Sequence, residues 1–282
     1  MRRALWPCLV FATGCVGTPT PLAPNVDGSV GVPHAGVLRG AEELPVKGPG
    51  FVRYRPKSPN YWGNPRLVRS ITGIAAKVKD AVPGGAPLVV GDLSARHGGK
   101  IPGHRSHRTG RDVDLLFYVT TPSGAPVPSP GFAKIGTDGL AQVKDEHFVR
   151  LDVERNWLLV KELVSSEEAQ VQWMFASRGV EALLIDYARA RGEPLEIIWR
   201  AETMLLEPGD SSPHDDHVHV RIACSAEEEA AGCEGGGPRW EWLRSLPPLG
   251  ELDAQTLGEI ARDDPFGLEA AALESAAAGG DA

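Results

Sequence analysis

A chain of 282 residues with 42% hydrophobic content is long enough for one large domain or two small ones built on a real core. Its formal charge of -8 argues against nucleic acid as a partner, which asks for a basic stripe. Most of that charge sits near the end, where eight acidic residues between Glu251 and Asp281 stand against Arg262 alone, so the body is close to neutral.

Arg2 and Arg3 precede a mostly apolar run, Ala4 to Thr13, that is too short to stay in a bilayer as a spanning helix. Residues 1–15 read as an export signal. Its end, Ala12-Thr13-Gly14-Cys15, resembles a bacterial lipoprotein cleavage site, which implies a lipidated Cys15, attachment to a membrane and a periplasmic location. Residues 16–35 are rich in Pro, Gly, Val and Asn without a period and are expected to be a flexible tether. Residues 36–249 form the expected folded domain, and residues 250–282 an acidic, Ala-rich tail that is weakly helical or disordered. With Cys8 in the signal and Cys15 at its end, Cys224 and Cys233 remain as a pair; in an oxidising compartment they would close a small loop, and otherwise they are two free thiols.

Within the domain, Gly36 to Leu44 is expected to lead in as a strand, and Phe51 to Tyr54 alternates as another. Pro56 to Pro65 is a turn-rich loop holding Tyr61 and Trp62. Leu67, Val68, Ile71, Ile74, Ala75 and Val78 recur at helical spacing between Asn64 and Pro83-Gly84-Gly85, which predicts a helix over Pro65 to Val82. Leu88 to Leu93 is a short apolar strand before the Gly-rich loop Arg96 to Lys100. Val113 to Thr120 alternates as a strand, and Thr121 to Gly139 is a Pro/Gly/Ser loop. Helices are expected over Asp152 to Ser165 and Gly179 to Arg191, with strands at Val171 to Phe175, Glu196 to Trp199 and His217 to Ile222. Cys224 to Pro238 reads as a charged, Gly-rich loop. Short strands interspersed with helices predict an α+β fold: a small antiparallel sheet carrying the functional site, with helices packed to one side.

The chemistry concentrates in two patches. Gly103 to Asp114 reads Gly-His-Arg-Ser-His-Arg-Thr-Gly-Arg-Asp-Val-Asp, and His214 to His219 reads His-Asp-Asp-His-Val-His. On a strand, alternate residues share a face, so His217 and His219 project into one cleft. His107 and Asp114 lie seven apart across a Thr-Gly turn, so a loop residue and a strand residue can converge. Imidazole and carboxylate suit a borderline cation such as Zn²⁺, and a catalytic zinc site keeps three protein ligands and one open position. Two ligands from one patch and one from the other make three.

Ser106-His107-x6-Asp114 followed by His217-x-His219 resembles the zinc-peptidase superfamily of D-Ala-D-Ala metallopeptidases, lysostaphin-type endopeptidases and hedgehog-like proteins. More narrowly, both patches, together with Tyr61-Trp62-Gly63 and Gly91-Asp92, are similar to the penicillin-insensitive murein endopeptidases, over roughly Gly36 to Cys224. The resemblance implies His107, Asp114 and His219 as ligands to Zn²⁺, and His217 as general base or transition-state stabiliser. It implies His104 and His214 as cleft-lining residues that hold substrate or the oxyanion. The implied substrate is the D-Ala to meso-diaminopimelate cross-link of peptidoglycan. Asp112, beside Asp114, is expected to orient a ligand histidine. His34, His97 and His147 are expected to be structural or solvated.

Rival classes are limited by what is missing. The sequence has no Gly-x-Ser-x-Gly or Ser-x-x-Lys for a serine hydrolase, and no His-Glu-x-x-His. A D,D-carboxypeptidase or dipeptidase of the same superfamily stays open, with Glu207 as its possible base. So does a non-catalytic cell-wall-binding lipoprotein in which His217 closes a structural zinc site as a fourth ligand.

Overall fold

The computed structural model describes residues 27–242 except 210, 236 and 239, so the expected signal, lipidated Cys15 and acidic tail lie outside the described residues. In chain order, β1 (Gly28–Val32) and β2 (Ala35–Arg39) form a hairpin, followed by the short β3 (Glu42–Glu43), β4 (Lys47–Gly48), β5 (Phe51–Arg53) and β6 (Trp62–Gly63). Helix α1 (Pro65–Ala81) leads to β7 (Leu88–Val90), β8 (Asp112–Leu116), β9 (Val119–Thr120) and β10 (Pro126–Val127). Then come β11 (Leu140–Lys144), β12 (His147–Leu151), α2 (Val153–Ser165), β13 (Val171–Phe175), α3 (Arg178–Ala190) and α4 (Leu195–Met204). The described chain ends with β14 (Leu205–Leu206), β15 (His217–Ile222) and α5 (Ala226–Ala230).

The α+β architecture follows the sequence expectation, on a larger and mixed sheet. Seven strands run in the order β14-β13-β15-β8-β7-β5-β4. Its centre, β13 to β7, is antiparallel, while β14 pairs parallel to β13 and β5 parallel to β7. Period-two alternation sorts the two central strands by chemistry. Val113 and Leu115 of β8, with Val220 and Ile222 of β15, meet Leu67, Ile71 and Ile74 of α1 and Leu159 and Leu163 of α2 on the core face. The intervening residues, Asp112, Asp114, His217, His219 and Arg221, fall on the other face.

The helices start where local chemistry predicts. The Asn64 side chain accepts from Arg66 N, with Pro65 in the first turn; Asp152 caps α2 and Ser177 caps α3. Glu196 to Trp199, expected as a strand, belongs instead to α4. The β-branched pair Ile197-Ile198 imitates a strand, but Ile198, Ala201 and Met204 are buried at a spacing of three, a helical face that tertiary packing selects.

The expected tether over 16–35 also needs correction, because its last residues form β1 and the turn into β2. What holds them is remote in sequence. Ser29 N donates to Glu228 Oε1 at 2.8 Å across 199 positions, and Gly31 N donates to Gly232 O. Leu140 to Leu151, to which no element was assigned, is a second hairpin, β11-β12. The loop expected over Cys224 to Pro238 contains α5, where Ser225 and Glu228 form a capping box, and Cys224 and Cys233 are joined by a disulfide.

Glu228 ties these peripheral pieces to the core. It accepts from Ser29 N, from the Asn64 side-chain amide, from Ser225 N at 2.8 Å and from Arg66 at 3.2 Å, while only 4% exposed. Removing this carboxylate takes the acceptor from three donors and the ion-pair partner from half-buried Arg66, which keeps only neutral acceptors such as Ala223 O. Glu228→Ala should therefore lower unfolding free energy by about 3–5 kcal/mol in urea titrations. A loss below about 1 kcal/mol would show that the hairpin and α5 are held by other contacts.

Candidate metal centre

Strands β8 and β15 are paired so that His219 stands opposite Asp114, Arg221 opposite Asp112 and His217 opposite Leu116. The ladder brings the two sequence patches, about a hundred residues apart, into cross-strand contact. His107 comes from the loop before β8 with φ of 64°, and His214 from the loop before β15 with φ of 55°. Both are in the left-handed region, sparsely used by non-glycine residues and held only where the surroundings determine it. Around His107 those surroundings are explicit. Arg108 N donates to Pro33 O at 3.2 Å, Leu38 N to His97 O at 3.1 Å, Asn64 N to Gly110 O at 2.8 Å and Ser29 Oγ to Thr109 O at 2.7 Å. The β1-β2 hairpin thus clamps the loop. Gly98 permits the close approach, since a Cβ there would lie 2.3 Å from Arg108 O and 2.7 Å from Leu38 N.

Hydrogen bonds fix which ring nitrogens are free. His107 Nδ1 donates to Leu93 O at 2.5 Å, leaving Nε2 as its lone pair. His219 Nε2 donates to Asp112 Oδ1 at 2.8 Å, and Arg221 Nε donates to the same oxygen at 2.7 Å, leaving His219 Nδ1 free. These two nitrogens and Asp114 Oδ1 form a triangle: 3.2 Å from Asp114 to each histidine, and 3.3 Å between the histidines. With the two histidines in these neutral tautomers, three lone pairs face one another there. Ligands about 2.0–2.2 Å from one ion at tetrahedral angles stand about 3.3–3.5 Å apart, so the triangle has the size of a metal-ligand face. Both Asp114 oxygens are buried without a hydrogen-bond partner among the described residues, and a bare buried carboxylate is costly unless a cation faces it. The residues present fit a divalent metal.

The electrostatics ask for positive charge at the same place. Burial works against ionised Asp114, yet His107, His217 and His219 outweigh it and hold its carboxyl well below the usual range. Burial likewise opposes charge on Asp112, and the Arg221 guanidinium with His219 overcomes it and lowers the carboxyl. His219 is raised despite its burial by Asp112 and Asp114.

The other sequence-selected residues surround the triangle. His217 Nδ1 donates to Asp216 Oδ1 at 2.5 Å, and its Nε2 lies 3.4 Å from Asp114 Oδ1. Burial disfavours its charged form, but Asp114 and Asp216 raise it to about 9. The His214 ring is 4.9 Å from that of His217, and burial together with the neighbouring imidazoles pushes it down to about 4. His104 lies between two carboxylates, with Nε2 3.3 Å from Asp92 and Nδ1 3.7 Å from Asp114. Metal-compatible clusters are thus His104, His107 and Asp114 on one side, and His214, His217 and His219 on the other, meeting at Asp114. His34, His97 and His147 are exposed elsewhere.

Sequence reasoning missed two aromatic walls. Phe132, from the loop after β10, meets His217 edge-on at 5.3 Å and Tyr54 at 5.4 Å. Phe175 of β13 stands 5.4 Å from His219. A single phenylalanine in a Pro/Gly-rich loop gives no signal; only Ile135 N donating to Asp215 O at 2.8 Å shows how that loop reaches the site.

Comparison with known proteins agrees with the geometry. Residues 29–196 match the family model described as penicillin-insensitive murein endopeptidase. Proteins of that name are similar over most of the chain. One from Haemophilus influenzae is 28% identical, covering 76% of this chain and 70% of its own length. Another from Klebsiella pneumoniae is 36% identical, covering 74% and 70%, and one from Escherichia coli K12 is 31% identical, covering 88% and 83%. The chain belongs to the penicillin-insensitive murein endopeptidase family.

If Asp112 sets the tautomer of His219, Asp112→Ala should weaken divalent-metal affinity by about 10–100-fold in competition with a chromophoric chelator. Circular dichroism would check that the variant keeps its fold. Unchanged affinity in a folded variant would mean that His219 is oriented without it.

Proposed function

We propose that this member of the family is a peptidoglycan-cleaving metallopeptidase that hydrolyses the D-Ala to meso-diaminopimelate cross-link. His107 Nε2, Asp114 Oδ1 and His219 Nδ1 would hold the ion, and Zn²⁺ suits their mixed imidazole and carboxylate donors. Bound there, zinc supplies a Lewis acid for the scissile carbonyl and a water acidified toward neutrality. The observation that carries the reading is the triangle of converging nitrogen and oxygen atoms beside a fourth histidine.

His217 is proposed as the general base. Its Nδ1 proton is committed to Asp216, so the exchangeable position is Nε2, on the side of Asp114. A divalent ion on Asp114 would offset the carboxylates that raise His217, leaving Nε2 neutral to take a proton from the attacking water and return it to the leaving amine, while Asp216 stabilises the imidazolium between the two transfers. Phe132, edge-on to the ring, restricts its rotation and shields it from solvent. His214 stays neutral over the physiological range and, with His104, is assigned to the cleft wall against the substrate.

Two observations bear on the rival readings. Glu207, the possible base of a carboxypeptidase, accepts from Arg178 N at 2.8 Å at the start of α3. It is committed to a helix terminus, where its charge is favoured. The non-catalytic reading draws on the 3.4 Å between His217 Nε2 and Asp114 Oδ1, which is near enough for a fourth ligand. A cell-wall substrate places the chain in the periplasm or outside the cell, and lipidation at Cys15 is proposed as the means of retention. Among the described residues no helix is long and apolar enough to cross a membrane.

Incubation with cross-linked peptidoglycan should convert dimeric muropeptides into monomers, resolved by mass. A chelator should abolish the conversion and added zinc restore it. His217→Ala should lower the rate by about 10²–10⁴-fold while bound metal stays near one equivalent. Loss of the metal along with activity would favour the closed four-ligand site, and intact dimers with full metal occupancy would exclude this substrate.

A further inference from the structure

A row of aromatic rings leaves the metal centre and turns around the edge of the sheet. Phe175 stands beside His219, and Trp173, on the same face of β13, is stacked 6.1 Å from it at an interplanar angle of 26°. Trp240 meets Trp173 edge-on at 5.3 Å. Trp242 lies 5.3 Å from Trp240 with ring planes 5° apart, and Trp199 of α4 closes the row edge-on to Trp242 at 5.0 Å. Four of the seven tryptophans of the chain stand here, whereas Trp157 alone of the described ones is a fully buried core residue.

Core packing does not account for the outer end of the row. Trp199 is 52% exposed, and Leu195, one turn before it on the same side of α4, is 82% exposed. Phe175, Trp173, Trp240 and Trp242 behind them are half-buried, the last two packed against the core, so Leu195 and Trp199 are the open end of the row, and exposed apolar surface marks a place where something binds. The row is rimmed by hydrogen-bonding groups of both signs. The Arg200 guanidinium lies 5.4 Å over Trp242, Arg221 lies 5.7 Å over Phe175, and Glu241, between Trp240 and Trp242 in the sequence, is exposed.

We propose that this row is a binding surface for the amino-sugar glycan strand that carries the cross-link; the proposal rests on reading the metal centre as a murein peptidase site. A sugar ring has an apolar C–H face and a rim of hydroxyl and amide groups. The slightly positive C–H groups are drawn to the negative face of an indole, and the rim bonds to flanking arginine and glutamate. A line of rings, rather than one pocket, suits a polymer of repeating rings. Continuity supplies the last argument: the row begins in ring contact with His219, so a strand lying along it keeps its peptide branch within reach of the metal centre.

The test uses the full chain and glycan strands stripped of their stem peptides, titrated calorimetrically with a chelator present. The wild type should bind. Trp199→Ala, at an exposed position, and Trp173→Ala, checked by thermal melting, should each weaken binding by about two- to ten-fold. Both should raise KM on intact sacculi by a similar factor while leaving kcat on a sugar-free cross-linked peptide unchanged. Absence of binding by the wild type, or equal binding by Trp199→Ala, would overturn the proposal. So would a loss of Trp199 exposure that follows self-association of the chain. Hydrolysis without glycan binding would remove this surface and keep the peptidase reading, whereas glycan binding without hydrolysis would remove the peptidase reading.

Discussion

Asp114 sits at the centre of the domain with 1% of its surface exposed and no hydrogen-bond donor for either oxygen among the described residues. A charge in that position cannot be tolerated by packing alone; it requires positive partners arranged around it. Much of the surrounding architecture places donor atoms that can hold a cation there. The antiparallel pairing of β8 with β15 sets His219 directly opposite, and the left-handed turn at His107 brings a second imidazole to the same oxygen. A register slip of one residue would send Asp114 and His219 into the hydrophobic core and Val113 and Val220 into the site. The core therefore enforces the register that the site needs.

Support for the site is built in successive layers. Leu93 O, Asp112 and Asp216 each fix one histidine proton, so the free lone pairs converge. Asp112 is fixed in turn by Arg221, and the loop holding His107 is clamped by the β1-β2 hairpin. The hairpin is held by Glu228, which also serves the N-terminus of α1 and caps α5 inside the loop closed by the disulfide. Each layer lies farther from the chemistry and draws on partners farther away in sequence. The geometry of a few atoms thus depends on the chain from Gly28 to Cys233.

That dependence explains what was legible beforehand. The convergence of these residues was legible because each patch carries its own spacing: His217-Val218-His219 on an alternating strand, and His107 seven residues before Asp114. Their pairing needed only the two strands to be neighbours. Helices α1, α2 and α3 were legible because amphipathic periodicity and caps are local signals. The β1-β2 hairpin was not, since Gly-Ser-Val-Gly-Val is a poor strand by itself and is held by Glu228 from 199 positions away. Helix α4 was misread because Ile197-Ile198 favours a strand locally while the burial of Ile198, Ala201 and Met204 favours a helix globally. Phe132 and Phe175 were invisible as site residues, because an aromatic beside a histidine is a property of the fold and not of any spacing.

The residues proposed as ligands differ in how securely they are held. Asp114 and His219 lie on central strands, where the ladder must open before they can move. His107 lies on a loop in a disfavoured backbone conformation, kept there by hydrogen bonds to the hairpin. Local opening of that loop costs less than opening the sheet, so it is the weakest step in assembling the triangle. An ion bound by all three ligands favours the closed loop and is favoured by it. On the proposed reading, metal binding and the order of the segment from His97 to Gly110 would be one equilibrium, in which the hairpin acts as a partner already in place. On that reading the hairpin and the Glu228 contacts would support the metal site, because they hold the loop that carries His107.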